Sequence, residues 1–126
     1  MNYVDANILI YSIKDFTNKG IKSRELLEKE HLITSTLSLD EVTYKLLKES
    51  REQAINAISG FSNSPNLKLV PFLPEDFDSF KEFIQRGLGP RDAIHALTAK
   101  KSRCPIVYSE DSDFDAISEF VRKTPW

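Results

Sequence analysis

Short apolar runs alternate with longer helical stretches along almost the whole chain, and that alternation leaves few folds open. Asn2 to Asp5 reads as a strand, and Ala6 to Lys14 as the helix that follows it. A second helix runs from Lys19 to Lys29, with Leu26 and Leu27 directed inward. His31 to Thr34 predicts another short strand. The next helix is expected to open at Ser38, because Ser38-Leu39-Asp40-Glu41 has the spacing of a capping box. It continues through Val42, Leu46 and Leu47, and a further helix spans Arg51 to Phe61. Leu67 to Phe72 is a strand rich in apolar residues. Pro74-Glu75-Asp76 introduces an amphipathic helix that places Phe77, Phe80, Phe83 and Ile84 on one face, read as core. Gly87 and Gly89 break that helix, and Pro90 suits the first turn of an Ala-rich helix reaching Lys101. Pro105 to Tyr108 has the composition of a buried strand, and Phe114 to Val121 that of a last short helix. Strands alternating with helices predict an α/β fold with a parallel sheet covered on both faces.

The 126 residues fit one domain, 1–126, with no internal repeat, low-complexity tract or linker. The softest stretch, Phe61 to Asn66, is a loop within it. Cys104 is the only cysteine, which excludes an intrachain disulfide and a multi-cysteine zinc site. No basic region, apolar stretch and cleavage site follow one another at the N-terminus. The most apolar run, Ala6 to Ile13, is interrupted by Asn7 and Ser12 and is too short to span a bilayer. A cytoplasmic protein without membrane contact is therefore expected. The net charge of −2 is unexpected for an enzyme acting on nucleic acid. Setting four candidate site acids aside leaves 15 acids against 17 basic residues, so the acidic balance lies partly in the site itself.

Those four acids are Asp5, Glu41, Asp92 and Asp111. Asp5 ends the first strand, and Asp111 lies just beyond the strand at Ile106 to Tyr108. Glu41 and Asp92 are each expected in the first turn of a helix. In a parallel sheet, strand ends and the starts of the following helices share one edge, where ligands bind. Acids gathered there repel one another unless a cation neutralises them. Oxygen ligands alone select hard cations such as Mg²⁺ or Mn²⁺, which activate water against phosphodiesters. Each acid also has a purely structural use. Asp5 suits an N-cap, Glu41 the capping box of Ser38, and Asp92 the dipole of its helix. Asp111 sits in an acidic turn with Glu110, Asp113 and Asp115. Position alone leaves both uses open.

The local sequences add a resemblance. Tyr3-Val4-Asp5-Ala6-Asn7-Ile8-Leu9 resembles the opening motif of the PIN-domain nucleases, and Leu39-Asp40-Glu41-Val42 their second. Pro90-Arg91-Asp92-Ala93-Ile94-His95-Ala96 is similar to the third, and Ser109-Glu110-Asp111-Ser112-Asp113-Phe114 to the fourth. The motifs occur in family order from residue 3 to residue 114, and the small size resembles the VapC-like toxins of toxin–antitoxin pairs. The resemblance implies a three-layer α/β/α sandwich around a mostly parallel sheet. It also implies Mg²⁺- or Mn²⁺-dependent endoribonuclease activity by metal-activated water, an antitoxin partner and often a homodimer. Metal binding and catalysis carry over to Asp5, Glu41, Asp92 and Asp111, with Asp113 as a variable fifth acid. Asn7 and Ser109 are implied to orient those carboxylates. Glu49 to Arg86 matches nothing specific.

Among the remaining residues, Lys45, Lys48 and Arg91 are candidates for contacts to substrate phosphates, although Glu41 and Lys45 also have the spacing of a surface pair. His95 is read as packing at its helix surface, and Cys104 as a buried thiol. Gly87-Leu88-Gly89 lacks the third glycine and preceding strand of a dinucleotide loop. A phosphohydrolase or phosphate-accepting receiver domain also ends its first strand in Asp, but Asn7 stands where the phosphatase wants a second Asp. A housekeeping RNA-processing nuclease and a non-catalytic interaction module of the same fold are compatible with the same residues.

Overall fold

The computed structural model describes residues 1–126. Its strands are β1 (Asn2–Val4), β2 (Leu32–Ser35), β3 (Leu67–Val70), β4 (Ile106–Tyr108) and β5 (Val121–Lys123). Its helices are α1 (Ala6–Lys14), α2 (Asn18–Lys29), α3 (Thr36–Leu47), α4 (Arg51–Ser62), α5 (Phe77–Gln85) and α6 (Pro90–Lys101). Single 3₁₀ segments cover Pro74–Asp76 and Ser112–Ala116. All strand pairs are parallel, in the order β3-β2-β1-β4-β5. The chain thus winds outward from β1 to β3, then crosses to the other side of β1 to lay down β4 and β5. The direction of winding reverses between β1 and β4, the place where parallel α/β sheets hold their ligands.

Strand alternation sorts the core into two faces. Tyr3 of β1 and Ile33 of β2 join Phe83 of α5, Leu97 of α6 and Phe114 on one side. Their neighbours Val4 and Leu32 join Ile8 and Leu9 of α1, Val42 and Leu46 of α3 and Ala57 of α4 on the other. The layers are therefore α5 and α6, the sheet, and α1 to α4, which is the expected α/β/α sandwich. On α6, Ala93, Ala96 and Ala99 are all fully buried, so small side chains let that helix lie close on the sheet. Gly87, with φ 98°, supplies the left-handed turn that separates α5 from α6.

Several expectations need correction. The helix read at Phe114 to Val121 does not form: a 3₁₀ turn is followed by β5, whose mostly exposed Val121-Arg122-Lys123 pairs with β4. The capping box at Ser38 is also replaced. Ser35 caps α3 by accepting from the Leu37 amide, while Ser38 is buried one turn on, against the Thr34 hydroxyl at 2.5 Å. Thr34 donates to the Val4 carbonyl, so Ser38 donates to Thr34 and is satisfied within the core. Glu41 consequently lies in the second turn of α3 and plays no capping part. Of the aromatic stripe, Phe83 is fully buried, which contributes about 2–3 kcal/mol. Phe77 is 52% exposed and Ile84 39%, because the stripe outruns the surface that α6 offers it. No helix is long and apolar enough to cross a membrane.

Candidate metal centre

Asp5 directly follows β1 and is the N-cap of α1, with no intervening loop. Its amide continues the sheet by donating to the Tyr108 carbonyl at 2.9 Å, which holds the end of β1 beside the end of β4. Its carboxylate is 5% exposed and well supplied with donors. Oδ1 accepts from the Ala6 amide at 2.6 Å, and Oδ2 from Ser109 Oγ at 2.6 Å and Asn7 Nδ2 at 3.2 Å. Ser109 Oγ in turn accepts from the Asp111 amide at 2.9 Å and from Asn7 Nδ2 at 3.3 Å. Asn7 and Ser109 thus join the two strand ends through Asp5. Burial nevertheless pushes the Asp5 carboxyl above its usual range, against the opposing pull of His95 and Ser109.

Asp92 sits in the first turn of α6, two residues after Pro90, and faces the β4 end. Burial, and next the adjacent Asp111 carboxylate, push Asp92 up to about 7. Asp111 caps the following 3₁₀ turn by accepting from the Asp113 amide at 2.9 Å. Asp92, Asp111 and Asp113 each present an oxygen within 4.8 Å of the others. The acidic turn is sorted by its pairings. Glu110 turns away to Lys19 at 2.5 Å and to the Tyr11 hydroxyl, and Asp115 binds Arg122 at 2.8 and 3.1 Å. Asp111 and Asp113 have no basic partner. An all-oxygen set of crowded acids, one held half-protonated near neutrality, fits a hard divalent cation.

Glu41 enters this group through a residue to which the sequence motifs assign no chemistry. His95 is 1% exposed, and its Nε2 lies 2.6 Å from Glu41 Oε1 and 3.3 Å from Asp5 Oδ1. Its Nδ1 lies 2.5 Å from the Tyr3 hydroxyl. Burial works against the imidazolium, but Asp5, Glu41 and Asp92 outweigh it and hold His95 above its ordinary value. The expectation that His95 packs at the helix surface is wrong, because α6 lies so close to the sheet that its 92/95 face meets β1 and α3. The only signal in the sequence is a polar residue one turn beyond Asp92.

A cleft of about 270 Å³ connects these residues, lined by Asp5, Glu41, Asp92 and Asp111. Its remaining wall carries Lys45, Lys48 and Arg91, all exposed, together with Tyr44. Cys104 is buried and apart from it.

The sequence and the fold each have known counterparts. No curated protein sequence matches. The family model described as PIN domain matches residues 3–119. In structure, the chain resembles the toxin VapC20 of Mycobacterium tuberculosis, described as cleaving the sarcin–ricin loop, at TM-score 0.81 and 17% identity, over 96% of this chain and 97% of that one. It also resembles a chain of VapBC2 from Rickettsia felis bound to promoter DNA, at 0.74 and 22%, over 98% of each. A third likeness is to a toxin–antitoxin complex from Klebsiella pneumoniae, at 0.75 and 20%, over 100% of this chain and 98% of that one. These likenesses concern the fold, whereas the family model spans nearly the whole sequence from Tyr3 to Glu119, and on that match the chain belongs to the PIN domain family.

Proposed function

We propose that this chain is a Mg²⁺- or Mn²⁺-dependent endoribonuclease and the toxin of a toxin–antitoxin pair. One juxtaposition carries the reading: Asp5, Glu41, Asp92 and Asp111 line a single cleft whose outer wall holds Lys45, Lys48 and Arg91. Mutually repelling acids call for a cation, and a cation beside three basic side chains suits a phosphodiester. When bound, the cation supplies Lewis-acid polarisation of a phosphoryl oxygen and lowers the pKa of water. Asp5, Glu41, Asp92 and Asp111 would hold it, with Asp113 as a further acid beside Asp92 and Asp111. Asn7 and Ser109 keep Asp5 in one rotamer by donating to Oδ2. Lys45, Lys48 and Arg91 would hold the phosphates that flank the scissile bond. RNA is favoured over DNA by the description of the Mycobacterium tuberculosis toxin that shares the fold.

Two surfaces suit the proposed protein partner. The acidic rim would accept an Arg or Lys from an inhibitory segment. A second, apolar cleft of about 410 Å³, lined by Ile13, Leu27, Ala57 and Phe61, would seat the segment's apolar side chains. The exposed edge of α5, with Phe77 and Ile84, would serve contact with a second copy of the chain.

Incubation with single-stranded RNA tests the enzyme: Mg²⁺ or Mn²⁺ should support internal cleavage, and chelation should abolish it. Cleavage at an unchanged rate after thorough chelation would overturn the proposal, and RNA binding without cleavage would favour a non-catalytic module. Expression tests the biology. Alone it should arrest growth, the neighbouring gene's product should relieve the arrest, and Asp5→Asn should remove it. Harmless expression of an active enzyme would point to housekeeping RNA processing.

A further inference from the structure

A chain of hydrogen bonds runs from the backbone at the end of β2, through Tyr3 and His95, to the carboxylate of Glu41. The Ser35 amide donates to the Tyr3 hydroxyl oxygen at 3.1 Å. Tyr3 is fully buried. Its hydroxyl lies 2.5 Å from His95 Nδ1 and shares a hydrogen bond with it. On the far side of the imidazole, Nε2 faces only carboxylate oxygens, Glu41 Oε1 at 2.6 Å and Asp5 Oδ1 at 3.3 Å. Nε2 must therefore carry a proton, and Glu41 takes the short bond. This bond occupies Oε1 and leaves Oε2 for the cleft that Glu41 lines.

We infer that His95, oriented by Tyr3, is a positioning residue that sets Glu41 and Asp5 for a divalent cation. The inference rests on the proposed metal-dependent reading of the same cleft. Glu41 depends on a single anchor, unlike Asp5, and its side chain is longer than that of any aspartate in the cleft. Asp5 is held by Ala6, Asn7 and Ser109, and Asp111 by the Asp113 amide. Glu41 has no hydrogen-bonding partner except His95, and it projects from the second turn of a helix with a flexible side chain. Without the imidazole it would sample several rotamers, and ordering them would weigh against every binding event. Tyr3 matters one step further back, since an unanchored ring could rotate its donor away from Glu41. Both residues stand in the family-like motifs quoted above, yet neither reaches a ligand: Tyr3 acts on His95, and His95 acts on the acids.

The test uses the full chain as His95→Met, His95→Gln and Tyr3→Phe, with Mn²⁺ as the probe. Binding is followed by the electron paramagnetic resonance of free Mn²⁺, cleavage by steady-state kinetics on single-stranded RNA, and folding by metal-free melting curves. His95→Met should weaken Mn²⁺ binding about 10- to 100-fold, the range expected when an orienting partner is removed. Its kcat should fall at saturating metal while KM for RNA stays the same. His95→Gln, whose amide nitrogen can stand near Nε2, should recover most of both. Tyr3→Phe should lose less than His95→Met, and in ¹⁵N spectra of the metal-free protein the wild-type ring should show a protonated Nε2 whose hydrogen-bonded signal Tyr3→Phe disturbs. Should His95→Met bind Mn²⁺ as the wild type does, or should His95→Gln be as impaired as His95→Met while both lose stability, the positioning role is overturned and the metal reading stands. A wild type that binds no Mn²⁺ overturns both.

Discussion

The two ends of α6 treat charge in opposite ways. Near its C-terminus, Lys100 lies 3.8 and 3.9 Å from Glu82 and Glu119, and Arg86 grips Glu119 with two bonds of 2.7 and 2.8 Å. Those bonds hold the Glu119 carboxyl down to about 2. At the N-terminus, Asp92 faces Asp111 with no basic partner and is pushed up to about 7. Opposite shifts on one helix show what pairing does. The Glu119 cluster is complete in itself, and its acids are stable in their ionised form. The Asp92 cluster is electrostatically unfinished, and the simplest completion is a proton or a cation. Perturbed acids that converge on a cleft are candidates for chemistry, whereas perturbed acids locked to arginine are candidates for scaffolding.

The largest expected effect follows from removing one unpaired acid. Asp92→Asn should reduce RNA cleavage about 10²-fold or more, the scale of losing one oriented electrostatic contact at a reacting centre. The metal-free melting temperature should be unchanged or higher, because repulsion with Asp111 is relieved. If the variant melts well below the wild type without metal, Asp92 is a structural acid and the contrast between the helix ends disappears.

Metal should then stabilise only the unfinished end. At a Mn²⁺ concentration near 100 times Kd, mass action adds about 2.7 kcal/mol, or roughly 10 °C for a chain of this size. Asp92→Asn should forfeit most of that gain, while Glu119→Gln should keep all of it. Calorimetric scans with and without Mn²⁺ decide the matter.

pH should separate the two ends by sign. Asp92 has a folded value near 7, above its ordinary 3.8, so its contribution to metal-free stability is full at low pH and is lost as pH rises from about 4 through 7. Glu119 has a folded value near 2, below its ordinary 4.5, so its contribution is present above about 4.5 and is lost as pH falls toward 2. Melting temperatures compared across that range should show the neutral-side loss vanish in Asp92→Asn and the acid-side loss shrink in Glu119→Gln. Mn²⁺ affinity should rise up to about pH 7, as the proton on Asp92 is displaced.

The smallest effect belongs to the paired cluster at neutral pH. Glu119→Gln should cost about 1 kcal/mol, since the pair lies at the surface with its side chains 30% and 22% exposed, and roughly 4 °C in melting temperature. Its cleavage rate should equal that of the wild type. A variant that loses activity with little loss of stability would mean that the two ends of α6 are coupled.

Much of this frame is legible in the sequence where one residue marks a boundary locally. Asp5 and Pro90 announce α1 and α6, and both helices begin where those residues put them. Local rules fail where the deciding contact is distant. The spacing that points to Ser38 as the cap of α3 fails once Thr34 engages its hydroxyl, and Ser35 caps the helix instead. Val121-Arg122-Lys123 lacks apolar alternation and is a strand only because β4 supplies its hydrogen bonds. His95 escapes local rules for the same reason, since the Glu41 it meets is 54 positions earlier. The acidic turn shows the limit most clearly: Glu110, Asp111, Asp113 and Asp115 look alike, and only Lys19 and Arg122 reveal which two are already taken.

The pairing of β1 with β4 also has a consequence in time. Ser109 must reach back across 104 positions to secure Asp5, and Asp111 must follow it before Asp92 has its neighbour. During synthesis, therefore, the chain has its first acid almost at once and its last only when nearly all of the sheet exists. No fragment that ends before Asp111 contains the whole acidic cluster, so any activity hosted there must wait until four of the five strands have been made.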